Sequence, residues 1–277
     1  MDAPGAILRR RSLRPKKSWG QNFLGDPAIL DRIARSVGGG PGDVVIELGA
    51  GLGHLTDRLA ATGARVVAVE RDRELAAVLR ELFAERPIEI VEANAARLSI
   101  RELAGGPAFV AGNLPYHLSS EILFHCLDQR ADVRRMIFTL QSEFVDRLVA
   151  GPGTRSYGVL SVQAQLLADV ERLFEIPRGA FLPPPHVDSA VVALTPLAAP
   201  RVAGGGSPHF TRVVRGAFGQ RRKTLLNALR GAGFEGAAAA LARAGIEPGR
   251  RAETLELAEL GALAAALAEG DSLAPTG

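Results

Sequence analysis

The sequence is poor in cysteine and lysine, and it has no long apolar run. Cys126 is the single cysteine among 277 residues, so no disulfide can form within the chain and a reducing compartment is expected. No apolar stretch approaches the roughly 20 residues that cross a bilayer, and the basic N-terminus lacks the apolar core of a signal peptide. We therefore expect a cytoplasmic protein that is not bound to a membrane.

The formal net charge is only +3, but the basic residues are clustered. Arginine guanidinium groups suit phosphate, so clusters of them favour contact with nucleic acid. An arginine-rich composition and a solvated basic tail remain alternatives for the scattered arginines and for residues 9–14. The predicted RNA-binding residues come from two clusters, one near each end of the chain: Arg14, Lys16, Lys17, Arg221, Arg222 and Lys223.

Short apolar, β-branched runs alternate with helical patterns in the first 200 residues. The predicted strands are Val44–Leu48, Arg65–Glu70, 88–91, 109–111, 136–140 and 191–194. Strands that alternate with helices are joined by right-handed crossovers, which indicates a mostly parallel sheet covered on both faces. The predicted fold class is therefore α/β, with a Rossmann-like sheet.

The chain changes character after the glycine and proline cluster at residues 196–206. Beyond it, apolar residues recur at helical spacing and no strand is predicted. We predict a basic flexible arm at residues 1–16, a catalytic α/β domain at residues 17–200 and a small all-helical, RNA-binding domain at residues 207–270.

A glycine-rich turn, residues 47–53, follows the first predicted strand. Such a turn exposes backbone N–H groups and lets a ligand approach closely. The dinucleotide fingerprint G-x-G-x-x-G would need a glycine where His54 or Thr56 stands. The pattern present, Glu-x-Gly-x-Gly-x-Gly, resembles motif I of S-adenosylmethionine methyltransferases. Glu70 closes the next strand, where a carboxylate can accept hydrogen bonds from both ribose hydroxyls.

Asn113-Leu114-Pro115-Tyr116 follows the fourth predicted strand. A purine amino group is a poor nucleophile because its lone pair is delocalised into the ring. The Asn113 side-chain carbonyl and the Leu114 backbone carbonyl could accept its hydrogens, and Pro115 would stiffen their geometry. Tyr116 offers a ring on which a base can stack. Alone, the tetrapeptide could be a tight turn with a buried tyrosine; after the glycine turn it predicts amino methylation.

The chain resembles the KsgA/RsmA family of small-subunit ribosomal RNA adenine N6,N6-dimethyltransferases from about residue 16 to residue 260. Five motifs carry the resemblance in order: residues 17–24, 47–53, 113–116, 181–190 and 217–225. The resemblance implies dimethylation of two adjacent adenosines in a hairpin loop near the 3′ end of 16S rRNA. It also implies S-adenosylmethionine as cofactor, the immature 30S subunit as partner and a monomeric enzyme without a metal.

The resemblance places Phe181 on the second face of the target base, opposite Tyr116. Where the family usually has an aspartate that accepts from the cofactor adenine, this chain has Asn94, which can accept without charge assistance. Trp19 is assigned to packing. The predicted cofactor-binding residues share a position near the carboxyl ends of the strands or in the segment over them: Gln21, Asn22, Leu24, Glu47, Gly49, Gly51, Gly53, Glu70, Arg71, Asn94, Ala95 and Asn113.

Two other functions remain open from the sequence. One is a 23S rRNA adenine N6-methyltransferase that confers antibiotic resistance, and the other is a non-catalytic assembly or transcription factor. The intact residues 113–116 disfavour the second of these, whereas Asn94 keeps it open.

Overall fold

The chain forms two compact units, seen in a computed structural model that describes residues 1–272. The first unit combines Met1–Val145 with Asp169–Pro196. The second combines Asp146–Ala168 with the described residues from Leu197 onward. None of the helices within residues 1–272 has the length and apolar character that a bilayer crossing requires.

Twelve α-helices and nine strands are found in the described residues. The helices are α1 (Pro4–Arg10), α2 (Pro27–Val37), α3 (His54–Ala60), α4 (Arg73–Leu82), α5 (Ile100–Ala104), α6 (Ser119–Asp128), α7 (Ser142–Val149), α8 (Val159–Leu167), α9 (Pro208–Phe218), α10 (Leu225–Gly231), α11 (Ala237–Arg243) and α12 (Leu257–Ser272). The strands are β1 (Phe23–Leu24), β2 (Val44–Leu48), β3 (Arg65–Glu70), β4 (Ile88–Glu92), β5 (Ala108–Asn113), β6 (Val133–Gln141), β7 (Ala168–Ile176), β8 (Phe181–Leu182) and β9 (Ser189–Pro196).

Seven strands form one sheet in the order β4-β3-β2-β5-β6-β9-β7. Strands β2 to β6 pair in parallel, and β9 pairs antiparallel with β6. The direction in which strands are added reverses between β2 and β5. The chain first adds β3 and β4 on one side of β2, and it then crosses back to add β5 on the other side of β2. Ligands of open α/β sheets bind at the carboxyl ends of the strands beside such a switch point.

Helix α2 shows how the sequence covers this sheet. The Asp26 carboxylate caps its first turn by accepting from two backbone N–H groups, and Gly38 ends it in the left-handed conformation. Its apolar residues recur at helical spacing and are buried: Leu30, Ile33, Ala34 and Val37. They pack in one core cluster with strand residues such as Val45 and Ile137.

The N-terminal residues 1–16 differ from the predicted flexible arm. They contain α1, whose Ile7 and Leu8 are buried in a cluster with Phe23 and Leu52. A helix of seven residues is too short to be stable alone, so this apolar contact holds it in place. The prediction considered only the charge of the segment and overlooked its apolar residues.

The domain limits also differ from the prediction. Strand β7 was not predicted, because Asp169, Glu171 and Glu175 interrupt its apolar residues. Residues 146–168, predicted within the α/β domain, group instead with the helical unit. In that unit Tyr157 packs edge-on against Phe218, with ring centres 5.7 Å apart.

We predict that Gly112→Ala destabilises the fold by about 2 kcal/mol. Strands β2 and β5 approach so closely that a Cβ at Gly112 would overlap the Leu48 carbonyl oxygen. Urea unfolding of both proteins measures the difference. The control is Gly106→Ala, because no atom lies within 4 Å of the added Cβ there. Equal stability of the two variants would contradict this account of the contact.

Candidate active site

A cavity of about 230 Å³ lies in the first unit, at the carboxyl ends of β2 to β5. Most of the predicted site residues line it. Those at the cavity are Gln21, Asn22, Leu24, Glu47, Gly49, Gly51, Glu70, Arg71, Asn94, Ala95, Asn113, Leu114, Pro115 and Tyr116. Gly53 and Phe181 are not among the lining residues.

The glycine turn between β2 and α3 owes its shape to left-handed backbone conformations. Gly49, Gly51 and Gly53 have φ angles of 75°, 59° and 83°, which side-chain-bearing residues rarely adopt. A Cβ at Gly53 would lie 2.6 Å from the Phe83 ring. The third glycine therefore permits packing of the turn against the ring, whereas the first two face the cavity.

Glu70 is held by the backbone of two neighbouring elements. Its Oε2 accepts from the Gly51 N–H at 2.8 Å, and its Oε1 accepts from the Asp72 N–H at 2.8 Å. Burial raises the pKa of the carboxyl group. Each carboxylate oxygen keeps a further lone pair, so the group can still accept hydrogen bonds from hydroxyls in the cavity.

Glu47 is the most unusual ionisable group of the site. Only 2% of the residue is exposed, and burial raises its pKa to about 8. The Thr56 hydroxyl donates to its Oε2 and opposes this rise, whereas the nearby Glu70 adds to it. Two buried carboxyl groups beside one cavity favour a positively charged ligand there.

Asn94 lies just after β4, in a tight turn of its own. Its Oδ1 accepts from the Ala96 N–H at 3.1 Å. The amide nitrogen of Asn94 therefore remains available to a ligand, and it can only donate a hydrogen bond. An aspartate at this position would offer a second acceptor oxygen instead.

The Asn113 side chain is oriented by a residue far away in the sequence. Its Nδ2 donates to the Asn22 carbonyl oxygen at 2.8 Å. This bond leaves Oδ1 as the free acceptor. The Leu114 N–H donates to the Thr139 carbonyl at 3.2 Å, which anchors the backbone next to it. Within residues 1–272, no donor bonds to Asn113 Oδ1 or to the Leu114 carbonyl, so both oxygens remain available as acceptors, and both residues line the cavity.

Tyr116 is tethered through its hydroxyl. Its oxygen lies 2.7 Å from Ser189 Oγ, and Ser189 is completely buried at the start of β9. Burial raises the pKa of the phenol, so it stays neutral at physiological pH. The tether holds the tip of the ring in place, which suits a stacking surface better than a proton donor. Sequence reasoning gave Ser189 no role, since its contact spans 73 residues.

Comparison with known proteins agrees with this geometry. The profile of the ribosomal RNA adenine dimethylase family matches residues 12–269. The chain belongs to the ribosomal RNA adenine dimethylase family. A relative named ribosomal RNA small subunit methyltransferase A, from Anaeromyxobacter sp. (strain K), is 53% identical over 94% of this chain and 96% of its own. A relative of the same name from Myxococcus xanthus (strain DK1622) is 49% identical over 96% of each chain.

Two solved structures share the fold of this chain. The 23S rRNA methyltransferase ErmE is 27% identical, with a TM-score of 0.70 over 89% of this chain and 100% of its own. A dimethyladenosine transferase from Plasmodium falciparum is 24% identical, with a TM-score of 0.73 over 87% of this chain and 95% of its own, and shows the shared fold. The predicted family and the predicted methyltransferase fold are thus confirmed.

Phe181, which the resemblance to the dimethylase family places opposite Tyr116, is not among the residues that line the cavity. It is 3% exposed and packs in the core cluster with Leu30 and Ile33. Strand β8 pairs with β1, and Phe181 stands opposite Leu24. Its contact with the target base stays a prediction.

The predicted RNA-binding residues have different surroundings. Lys16 Nζ lies 2.8 Å from Asp72 Oδ1 and 2.6 Å from Glu74 Oε2, so its charge is paired with two carboxylates of the protein. Arg14 is exposed, and the side chain of Lys17 lies outside the described residues. In the helical unit, the exposed Arg221, Arg222 and Lys223 lie in the turn before α10 rather than in its first helical turn.

Sequence reasoning missed four aromatic residues of the cavity: Trp19, Phe23, His54 and His117. Trp19 is 37% exposed, and the Arg71 guanidinium lies 5.1 Å from its ring centre. The signal available was its position next to Gly20, which directly precedes two predicted cofactor-binding residues.

We predict that Glu47→Gln makes stability less dependent on pH. Because the pKa of Glu47 in the folded protein is about 8, above its ordinary value of 4.5, the stability it contributes is full below 4.5 and is lost as the pH rises toward 8. Glutamine cannot titrate. Over this range the free energy of unfolding should fall by at least about 1 kcal/mol more in the wild type than in the variant. Urea unfolding at several pH values measures it; equal slopes would contradict the assignment.

Proposed function

We propose that this protein is an S-adenosylmethionine-dependent 16S rRNA (adenine-N6,N6)-dimethyltransferase. It dimethylates two adjacent adenosines in a hairpin loop near the 3′ end of 16S rRNA during biogenesis of the small subunit. The observation that carries the proposal is the pair of free acceptors, Asn113 Oδ1 and the Leu114 carbonyl, in a cavity beside two buried carboxyl groups. The acceptors suit an amino group, and the carboxyl groups suit a cationic cofactor.

The cavity residues fit S-adenosylmethionine. When bound, this cofactor supplies a methyl group on a positively charged sulfur. Glu70 would accept from the ribose hydroxyls, and Glu47 would favour the cationic methionine end once it loses its proton. The Gly49–Gly51 backbone allows close approach, and Asn94 would donate to the adenine ring.

The acceptor residues position an adenine rather than activate it with a base. Asn113 Oδ1 and the Leu114 carbonyl accept the two hydrogens of the amino group, which favours a pyramidal nitrogen with its lone pair directed at the methyl carbon. The ring of Pro115 fixes its φ angle, which is −58°. This stiff backbone keeps the two acceptors in a constant relative position. Tyr116 holds the base by stacking. In-line placement of nitrogen and methyl carbon does most of the catalytic work.

The proposed partner is small-subunit rRNA within an immature 30S subunit, bound by a monomer in the cytoplasm. A target adenine must leave its stack, which is easiest in a loop. Arg14, Arg221, Arg222 and Lys223 are exposed and would contact phosphates, which fixes position without reading sequence. The relatives that are about half identical to this chain bear small-subunit names, whereas the 23S rRNA methyltransferase ErmE is 27% identical, so the small-subunit function is preferred.

The proposal predicts that the purified protein transfers tritiated methyl groups from S-adenosylmethionine to immature 30S subunits, with the label in N6,N6-dimethyladenosine. Asn113→Ala should lower kcat by about a hundredfold, because one of two acceptors for the amino group is lost. The matched control is the same replacement at the exposed Asn227 in α10. Label in naked 23S rRNA but not in 30S subunits, or full activity of Asn113→Ala, would contradict the proposal.

A further inference from the structure

Residues 16–22, here called the strap, run along the cavity between α1 and β1. Ser18 to Asn22 line the cavity directly. The strap contains one short 3-10 turn, Lys17–Trp19, and neither a helix nor a strand of its own. A segment without a regular helix or strand depends on contacts with other elements for its position.

One set of contacts ties the strap to the end of β3. Asp72 is 2% exposed; its Oδ1 accepts from Lys16 Nζ at 2.8 Å, and its Oδ2 accepts from Gln21 Nε2 at 2.7 Å. Gln21 Oε1 in turn accepts from the Lys16 N–H at 2.8 Å. The Asp72 carboxylate is buried although the Lys16 side chain is 36% exposed, and these charge-assisted hydrogen bonds hold the first half of the strap.

The same aspartate is linked to the residue proposed to hold the cofactor ribose. The Asp72 N–H donates to Glu70 Oε1, and the Gly51 N–H donates to Glu70 Oε2. A continuous chain of hydrogen bonds therefore runs from Lys16 through Asp72 and Glu70 to the glycine turn.

The other end of the strap is tied to the acceptor side of the cavity. The Asn22 carbonyl accepts from Asn113 Nδ2, and Asn22 Nδ2 donates to the Gly20 carbonyl at 3.1 Å. Gly20 itself packs closely on His117, since an added Cβ would lie 3.2 Å from that ring. A displaced strap would leave the Asn113 amide free to turn and present its donor instead of its acceptor.

We propose that Asp72 is a positioning residue that holds the strap over the cavity through Lys16 and Gln21. This inference rests on the proposed function. The tie makes the binding-competent arrangement of the strap the dominant one before any ligand arrives. If the tie is cut, only a fraction of molecules has the strap in place, and the apparent Kd for the cofactor rises by the inverse of that fraction. The orientation of Asn113 is lost in the remaining molecules.

A double-mutant cycle tests the tie, with calorimetric Kd values for S-adenosylmethionine. Asp72→Asn keeps the shape of the side chain and an oxygen that can accept from the Glu74 N–H at the start of α4, whereas Lys16→Met keeps the apolar stem. Each change removes the ion pair between Lys16 and Asp72, and Asp72→Asn also replaces the acceptor of Gln21 Nε2 by a donor. Lys16→Met should raise Kd about tenfold, Asp72→Asn at least as much, and the double variant no more than Asp72→Asn alone. Glu74→Gln is the matched control; Glu74 is the exposed partner of Lys16, and its loss should change Kd less than about twofold.

Two results would overturn the inference. One is a wild-type Kd in both single variants, and the other is a Kd in the double variant about tenfold above that of Asp72→Asn, which would show that the two residues act independently. A role in fold stability alone would lower the thermal midpoint without changing hydrogen exchange in the strap. The inference predicts that exchange at residues 18–22 of the unliganded protein becomes about tenfold faster in Lys16→Met.

The exchange measurement also separates the two proposals. It needs no cofactor, so it tests the tie even if Asp72→Asn does not fold, and unchanged exchange in Lys16→Met overturns the inference. Failure of the wild-type protein to bind S-adenosylmethionine would instead overturn the proposed function. The exchange measurement would still test whether Asp72 and Lys16 hold the strap.

Discussion

The parallel register of three strands is the constraint on which the site depends. Leu48 in β2 stands opposite Val69 in β3, and Glu47 stands opposite Ala111 in β5. This register brings the glycine turn, Glu70 and Asn113 to one edge of the sheet although they are far apart in the chain. A shift of one residue in any strand would turn its side chains to the other face and separate these groups. The close approach of Gly112 to the Leu48 carbonyl oxygen also depends on this register.

Two buried carboxyl groups lie at the cavity where the positively charged cofactor is proposed to bind. Glu47 and Glu70 are both buried, and Glu70 disfavours ionisation of Glu47. Their burial costs stability in the unliganded protein, and the hydrogen bonds from Thr56 and Gly51 offset only part of this cost. A cation in the cavity would favour the ionised form of both groups.

Local sequence patterns predicted the strands of the parallel sheet, the glycine turn and residues 113–116, because β-branched runs and glycine turns depend on neighbours in the chain. They did not predict contacts between distant residues. The bonds of Lys16 to Asp72 and of Asn22 to Asn113 span 56 and 91 residues. The apolar anchor of α1, the burial of Phe181 and the grouping of residues 146–168 with the helical unit also depend on tertiary packing that no local periodicity carries.

A crystal structure of the protein with S-adenosylhomocysteine and adenosine tests the central claim most directly. The account predicts the cofactor ribose within hydrogen-bond distance of Glu70. It also predicts the adenosine amino nitrogen within hydrogen-bond distance of both Asn113 Oδ1 and the Leu114 carbonyl, with the base stacked on Tyr116. Cofactor bound away from the carboxyl ends of β2 and β3, or an amino group turned away from the two acceptors, would contradict it.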